Sequence, residues 1–231
     1  MASLAITWLG HSAFILRTPG GKTVLVDPWY TGNPSFPEHA KPTKADLILV
    51  SHGHSDHITD AAAMAKATGA PVVGIWEVTS WLGTKGVQHV EPMNKGGTIH
   101  VQGLRVTMTE AVHSSSFDDH GIVYLGEPAG YVVKLENGQT IYFAGDTALF
   151  GDMKLIGELY KPDIAFLPIG DRFTMGPDTA AMAAQWLGVK QVVPMHWGTF
   201  PLLTGTPDQL IRNLAGTGIQ VLELKPGETA E

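Results

Sequence analysis

The chain has 231 residues, 44% apolar and 16% charged, and 22 acidic against 15 basic side chains give it a formal charge of −7. Such a chain is long enough to bury a substantial core, which excludes intrinsic disorder, and it has no general electrostatic attraction for nucleic acid or anionic membrane. It has no cysteine, so disulfides, thiolate-held zinc, iron–sulfur clusters and thiol nucleophiles are excluded too. Residues 1–10 read as a strand and not as a basic leader, and no apolar run is long enough to span a bilayer. The expectation is a single cytoplasmic domain over residues 1–231.

Residues 4–9, 13–18 and 23–27 are short β-rich runs joined by tight turns, which predicts an antiparallel meander. Residues 28–44 carry four of the fifteen prolines and read as an irregular loop, long enough to suggest a place at the mouth of a site. Residues 45–50 form a continuous apolar strand, and residues 58–66 read as a helix stopped by Gly69. A strand over 71–75 and a short helix over 76–82 follow. Residues 98–101, 104–112, 130–135 and 140–144 are further strands, with Gly103 and Asn137-Gly138 at tight turns. Asp152 is expected to cap a helix reaching residue 160, and Asp178 one reaching residue 187. Strands over 164–168, 191–195 and 220–224, with a helix opened by Pro207-Asp208, complete the pattern. Antiparallel strands dominate the first part of each half, and strand–helix alternation the second.

Between the strand at 45–50 and its helix lies Ser51-His52-Gly53-His54-Ser55-Asp56-His57, an HxHxDH pattern. Imidazoles with a carboxylate suit borderline divalent metals such as zinc. Side chains alternate along an extended segment, so residues 52, 54 and 56 would share one side. All four groups cannot meet on one ion, so His52 and His54 would grip one metal while Asp56 and His57 reach a second. Three later residues also close apolar strands: His113, Asp146 and His196. If those strands share one end of the core, His52, His54, His113 and Asp146 would hold one ion, and Asp56, His57, His196 and Asp146 the other. Two-metal hydrolases keep such ions about 3.5–4 Å apart with a shared water of lowered pKa.

These motifs resemble the metallo-β-lactamase superfamily. Trp8-Leu9-Gly10-His11-Ser12-Ala13-Phe14, Val26-Asp27-Pro28, Ala144-Gly145-Asp146-Thr147 and His196-Trp197-Gly198-Thr199-Phe200-Pro201 resemble more closely its UPF0173 metal-dependent hydrolases. That branch is related to ascorbate-6-phosphate lactonases and to the N-acyl-phosphatidylethanolamine phospholipase D type. The resemblance covers essentially the whole chain. It implies an α+β fold, a four-layer αββα sandwich with the metals at one edge, in agreement with the element order. The family's ligand positions fall on His52, His54, Asp56, His57, His113, Asp146 and His196.

The expected function is metal-dependent hydrolysis of an ester, lactone or phosphodiester by a metal-bridging hydroxide. It would use two divalent ions, with zinc favoured and manganese, iron or nickel able to take the same ligands. Asp56 would fix the second ion and pass on a proton, and His11 could touch the leaving group. Asp27 is a candidate to accept a ligand imidazole N–H. Ser114 is a candidate for the site mouth, and Arg172 for anchoring a substrate anion. His39, His89, His100 and His120 are expected to face solvent. The expected partner is a small-molecule substrate and not nucleic acid or membrane, with homo-oligomers possible. Three rivals are a di-iron redox protein, which typically carries glutamate at the position of His54, an RNA-processing nuclease, and a metal-binding or sensing module without turnover.

Overall fold

Apolar runs too short for helices account for most of this molecule, a computed structural model that describes residues 3–231. In the first sheet β1 (Ala5–Trp8), β2 (Phe14–Arg17) and β3 (Thr23–Val26) are antiparallel, and β4 (Leu47–Leu49), β5 (Val72–Ile75) and β6 (Val90–Met93) continue parallel to β3. The second begins with β7 (Thr98–Val101) and β8 (Leu104–Glu110), after which β9 (Ser116–Asp118) and β10 (Ile122–Tyr124) form a separate hairpin. It continues through antiparallel β11 (Ala129–Lys134) and β12 (Thr140–Phe143) into parallel β13 (Ile164–Pro168), β14 (Gln191–Met195) and β15 (Gln220–Val221). A final strand, β16 (Thr229–Ala230), pairs with β1. Among the described residues each of these two sheets has seven strands, ordered β16-β1-β2-β3-β4-β5-β6 and β15-β14-β13-β12-β11-β8-β7. The order follows from the pattern: strands buried on both faces, such as β12 and β13, sit where helices cover a parallel sheet.

Helices α1 (Ser55–Ile58), α2 (Ala61–Thr68) and α3 (Trp76–Thr84) belong to the first half, and α4 (Met153–Tyr160), α5 (Pro177–Leu187) and α6 (Pro207–Asn213) to the second. Between the sheets Phe14 meets Phe166 at 5.0 Å and Phe143 at 6.3 Å, both edge to face. A second core, including Tyr142, Leu167, Ala180, Ala184 and Leu187, fills the space between the second sheet and its helices. The architecture is α+β, and the antiparallel-then-parallel plan recurs in both halves as the sequence predicts. Among the described residues no helix is long and apolar enough to cross a membrane.

Several local expectations are corrected. The helix expected over 58–66 is broken into α1 and α2 around Asp60. That carboxylate accepts from Tyr30 N at 2.6 Å, Thr31 N at 2.8 Å and Thr31 Oγ1 at 2.8 Å, and so anchors the proline-rich loop. Asp178 is not a cap: Gly176 takes that position, Pro177 opens α5, and Asp178 instead accepts from Asn213 Nδ2. Asp152 holds the cap position without a capping hydrogen bond. The strand expected over 220–224 shrinks to Gln220–Val221. β6, the β9–β10 hairpin and β16 are additional; partners distant in sequence impose them, and no periodicity announces them.

One buried hydrogen bond ties the sheets together beside the HxHxDH motif: Tyr131 Oη on β11 donates to the carbonyl of Val50, after β4, at 2.6 Å. Tyr131→Phe removes that donor and is expected to cost about 1–3 kcal/mol. It should appear as a lower urea midpoint at unchanged slope; a wild-type midpoint would show that the bond carries no net stability.

Candidate metal centre

β1, β3, β4, β8, β12 and β14 all end at the same edge of the sandwich, and each hands the chain to a polar side chain there. His11 lies in the β1–β2 turn, Asp27 follows β3, the HxHxDH motif follows β4, and His113, Asp146 and His196 come after β8, β12 and β14. The motif is extended only through His54, the N-cap of α1 at φ −65°, ψ 146°. Asp56 and His57 therefore leave on a helical turn, so the expected sharing of one side by residues 52, 54 and 56 stops at His54. His11, Asp27 and His196 adopt left-handed backbone at φ 56°, 43° and 55°. For non-glycine residues such conformations cost on the order of 1–3 kcal/mol each and gather at functional sites. Gly170, after β13, lies so close to the carbonyl of His196 that no side chain would fit there.

Two groups of side chains converge. Ligand atoms of His52, His54 and His113 lie within 4.8 Å of one another, as do those of His11, Asp56, His57 and His196. Between the groups stands Asp146, whose Oδ2 is 3.2 Å from His57 Nε2, 3.7 Å from His113 Nε2 and 2.9 Å from His196 Nε2. Among the described residues, His57 Nε2, Asp146 Oδ1 and His196 Nδ1 are buried without a hydrogen-bond partner. Buried polar atoms are rarely left so, and those of His57 and Asp146 are the ones a shared cation would engage.

Proton counting sharpens the fit. Ser51 Oγ has one proton and donates it to Asp27 Oδ2 at 2.6 Å, so at 2.9 Å it accepts from His52 Nδ1–H. His57 Nδ1–H donates to the same Asp27 oxygen at 2.8 Å, while Ser51 N donates to Asp27 Oδ1 at 2.7 Å. His52 and His57 thus both turn an unprotonated Nε2 toward the cluster whenever a cation is present. His54 Nε2 faces Ser114 Oγ at 3.4 Å, and its Nδ1 stands 3.0 Å from His52 Nε2. The donor set of imidazole and carboxylate fits a borderline divalent metal.

Electrostatics favour a positive occupant. Burial opposes charge on His57, yet Asp146 and Asp56 outweigh it and hold that imidazole well above its usual range. Burial pushes His52, His54 and His113 down. Burial would raise Asp146, but His196 and His57 drive its carboxyl well below the usual range; Asp56 is lowered likewise against burial, by His57 and His11. Asp27 is raised by its burial. Burial also brings His11 down to about 4.

Around this centre, Trp29 and Phe200 pack edge-on against His11 at 5.1 and 5.6 Å, and Thr199 Oγ1 lies 3.0 Å from His11 Nδ1. Ser114 is exposed beside His54, whereas Ser115 is buried and structural, accepting from Gly53 N and donating to the carbonyl of Leu125. Arg172 is exposed over the ring of Phe173 at 5.5 Å and makes no ion pair among the described residues. His39, His89, His100 and His120 are exposed. The sequence reading assigns no role to Ser51, Thr199, Trp29 or Phe200. Ser51 has a usable signal, since it immediately precedes the motif; the aromatic wall has none.

Residues 22–197 match the family model of the beta-lactamase superfamily domain. A UPF0173 metal-dependent hydrolase of Rubrobacter xylanophilus is 51% identical over 228 residues, covering 96% of this chain and 94% of its own. One from Solibacter usitatus is 49% identical over 229 residues, covering 99% of this chain and all of its own. Among solved structures, Igni18, a metallo hydrolase of the archaeon Ignicoccus hospitalis, superposes with a TM-score of 0.88 at 36% identity, covering 98% of this chain and 97% of that one. The chain belongs to the beta-lactamase superfamily, among its UPF0173 metal-dependent hydrolases.

Proposed function

We propose that this metal-dependent hydrolase is binuclear and cleaves an ester, lactone or phosphodiester bond of a small molecule. The observation that carries the reading is the convergence of two ligand groups on the shared carboxylate of Asp146. His52, His54, His113 and Asp146 would hold one ion; Asp56, His57 and His196, again with Asp146, the other. The His-rich set favours zinc, with manganese, iron or nickel as competitors. When bound, such ions lower the pKa of a shared water and polarise the oxygen of an acyl or phosphoryl centre.

The chain's own residues do the rest. Asp27 and Ser51 hold two ligand imidazoles in one tautomer from behind, which keeps their lone pairs on the cluster. Asp56, partly exposed and held low against burial by His57 and His11, is suited to hold the second ion at the edge of the centre. His11 is neutral at pH 7 and sealed by Trp29, so it is ill suited to protonate a leaving group, and its contact with Asp56 is the role to weigh. The open side of the cluster is that of His54, His113 and Ser114, which supports substrate approach from there. A net charge of −7 favours a small-molecule substrate over nucleic acid.

Protein purified without chelator should carry about two ions per chain by mass spectrometry and turn over p-nitrophenyl phosphodiester or lactone probes. His52→Ala with Asp146→Ala should abolish both, and full activity in that double variant would sink the reading. Ser51→Ala should weaken metal binding about 10–100-fold, and Ser51→Thr should restore it; equal affinity in all three proteins would remove Ser51 from the centre. Without metal, Asp146 and Asp56 hold His57 well above its usual range against burial, so metal binding should release a proton. Calorimetry at pH 7 in buffers of different ionisation enthalpy reads this directly, and no proton release would contradict the assignment.

A further inference from the structure

We infer that His11 is an additional metal ligand, bound to the second ion beside Asp56, His57 and His196; this rests on the binuclear reading above. The superfamily resemblance places His52, His54, Asp56, His57, His113, Asp146 and His196 on the ions and leaves His11 outside. The geometry puts it inside. Ligand atoms of His11, Asp56, His57 and His196 lie within 4.8 Å of one another. His11 Nε2 faces Asp56 Oδ2 at 3.1 Å, and its ring centroid is 4.0 Å from that of His196 and 5.6 Å from that of His57.

The proton on His11 follows from Thr199. That hydroxyl is within reach of the carbonyl of Trp197, at 3.4 Å, and 3.0 Å from His11 Nδ1. When it donates to that carbonyl it accepts Nδ1–H, the tautomer that turns the Nε2 lone pair toward Asp56. With its proton on Nδ1, His11 Nε2 and the Asp56 oxygen 3.1 Å away are placed to share one cation. His11 is fully buried, whereas the Asp56 side chain keeps 26% of its surface exposed. The His11 carbonyl accepts from Trp8 Nε1 at 2.9 Å and from His196 N at 3.0 Å, which pins its left-handed backbone to that of another ligand. A fold that maintains such strain at a buried imidazole aimed at a metal cluster is using that imidazole. The second ion is then held by His11, Asp56, His57 and His196 with Asp146, and the first only by His52, His54, His113 and Asp146. The less enclosed ion is the one on the open side.

Cadmium-loaded protein with 15N-labelled histidine tests this by 113Cd NMR, independently of activity. Six imidazoles, those of His11, His52, His54, His57, His113 and His196, should show nitrogen–cadmium coupling. Five, with His11 uncoupled, overturn the inference and leave the binuclear reading intact. His11→Gln keeps a donor for Asp56 but removes the ring nitrogen. It should shift or abolish one cadmium resonance and weaken the second site by more than the roughly 10–100-fold typical of groups behind the ligands. Wild-type resonances and affinities in that variant would make His11 a positioning residue for Asp56. Fewer than two cadmium ions on wild-type protein would overturn the binuclear reading and this inference together.

Discussion

Charge balance at one end of the sandwich is the constraint that the rest of the structure serves. Asp27 and Asp146 are buried, and among the described residues the only basic side chains beside either are imidazoles. An unpaired buried carboxylate is among the most costly groups a fold can carry. Without metal, Asp146 and Asp56 hold the His57 imidazole well above its usual range against its burial. A divalent ion answers the buried carboxylates better, because it uses lone pairs of several imidazoles at once where a proton uses one. The same carboxylates that make the apo site costly therefore make it a strong trap for cations.

Holding those groups in place is a backbone problem. A twisted strand delivers one side chain at its end, so a cluster of this size needs several strands ending together. Repeating the antiparallel-then-parallel plan in both halves meets that need. The turns at His11, Asp27 and His196 then bend into left-handed backbone to aim their side chains inward. Strain there is offset by buried hydrogen bonds such as Tyr131 to Val50, which fasten the sheets just behind the motif.

Much of this was legible in the sequence, for physical reasons. Buried parallel strands read as continuous apolar runs, and a ligand-type residue at the end of each is conspicuous. Thus HxHxDH, His113, Asp146 and His196 could be proposed together, and Asp27 as their support. The break at Asp60 was hidden because its carboxylate serves the distant amides of Tyr30 and Thr31 and not its own helix. Asp178 misleads because Pro177 opens the helix and moves its start two places earlier. Ser51, Thr199 and the wall of Trp29 and Phe200 act through contacts across the fold, which no local pattern encodes. His11 stands out by type in the turn after the first strand, but its burial against Asp56 belongs to tertiary structure alone.

The two halves of the cluster differ in exposure, and under the proposed reading that difference has a chemical meaning. His11, His57 and His196 are buried, with Trp29 and Phe200 packed against His11, whereas His54 and His113 are partly exposed and Ser114 is open to solvent. Around His11, His57 and His196 low effective dielectric strengthens the ligand contacts, with Asp56 at the solvent edge. On the open side, a substrate oxygen can displace water without moving protein. A centre sealed on both sides would bind metal and stop there; one open on both sides would hold its ions loosely. The asymmetry reconciles tight retention of metal with access for a substrate, and it comes from where the aromatic side chains fall and not from the ligands themselves.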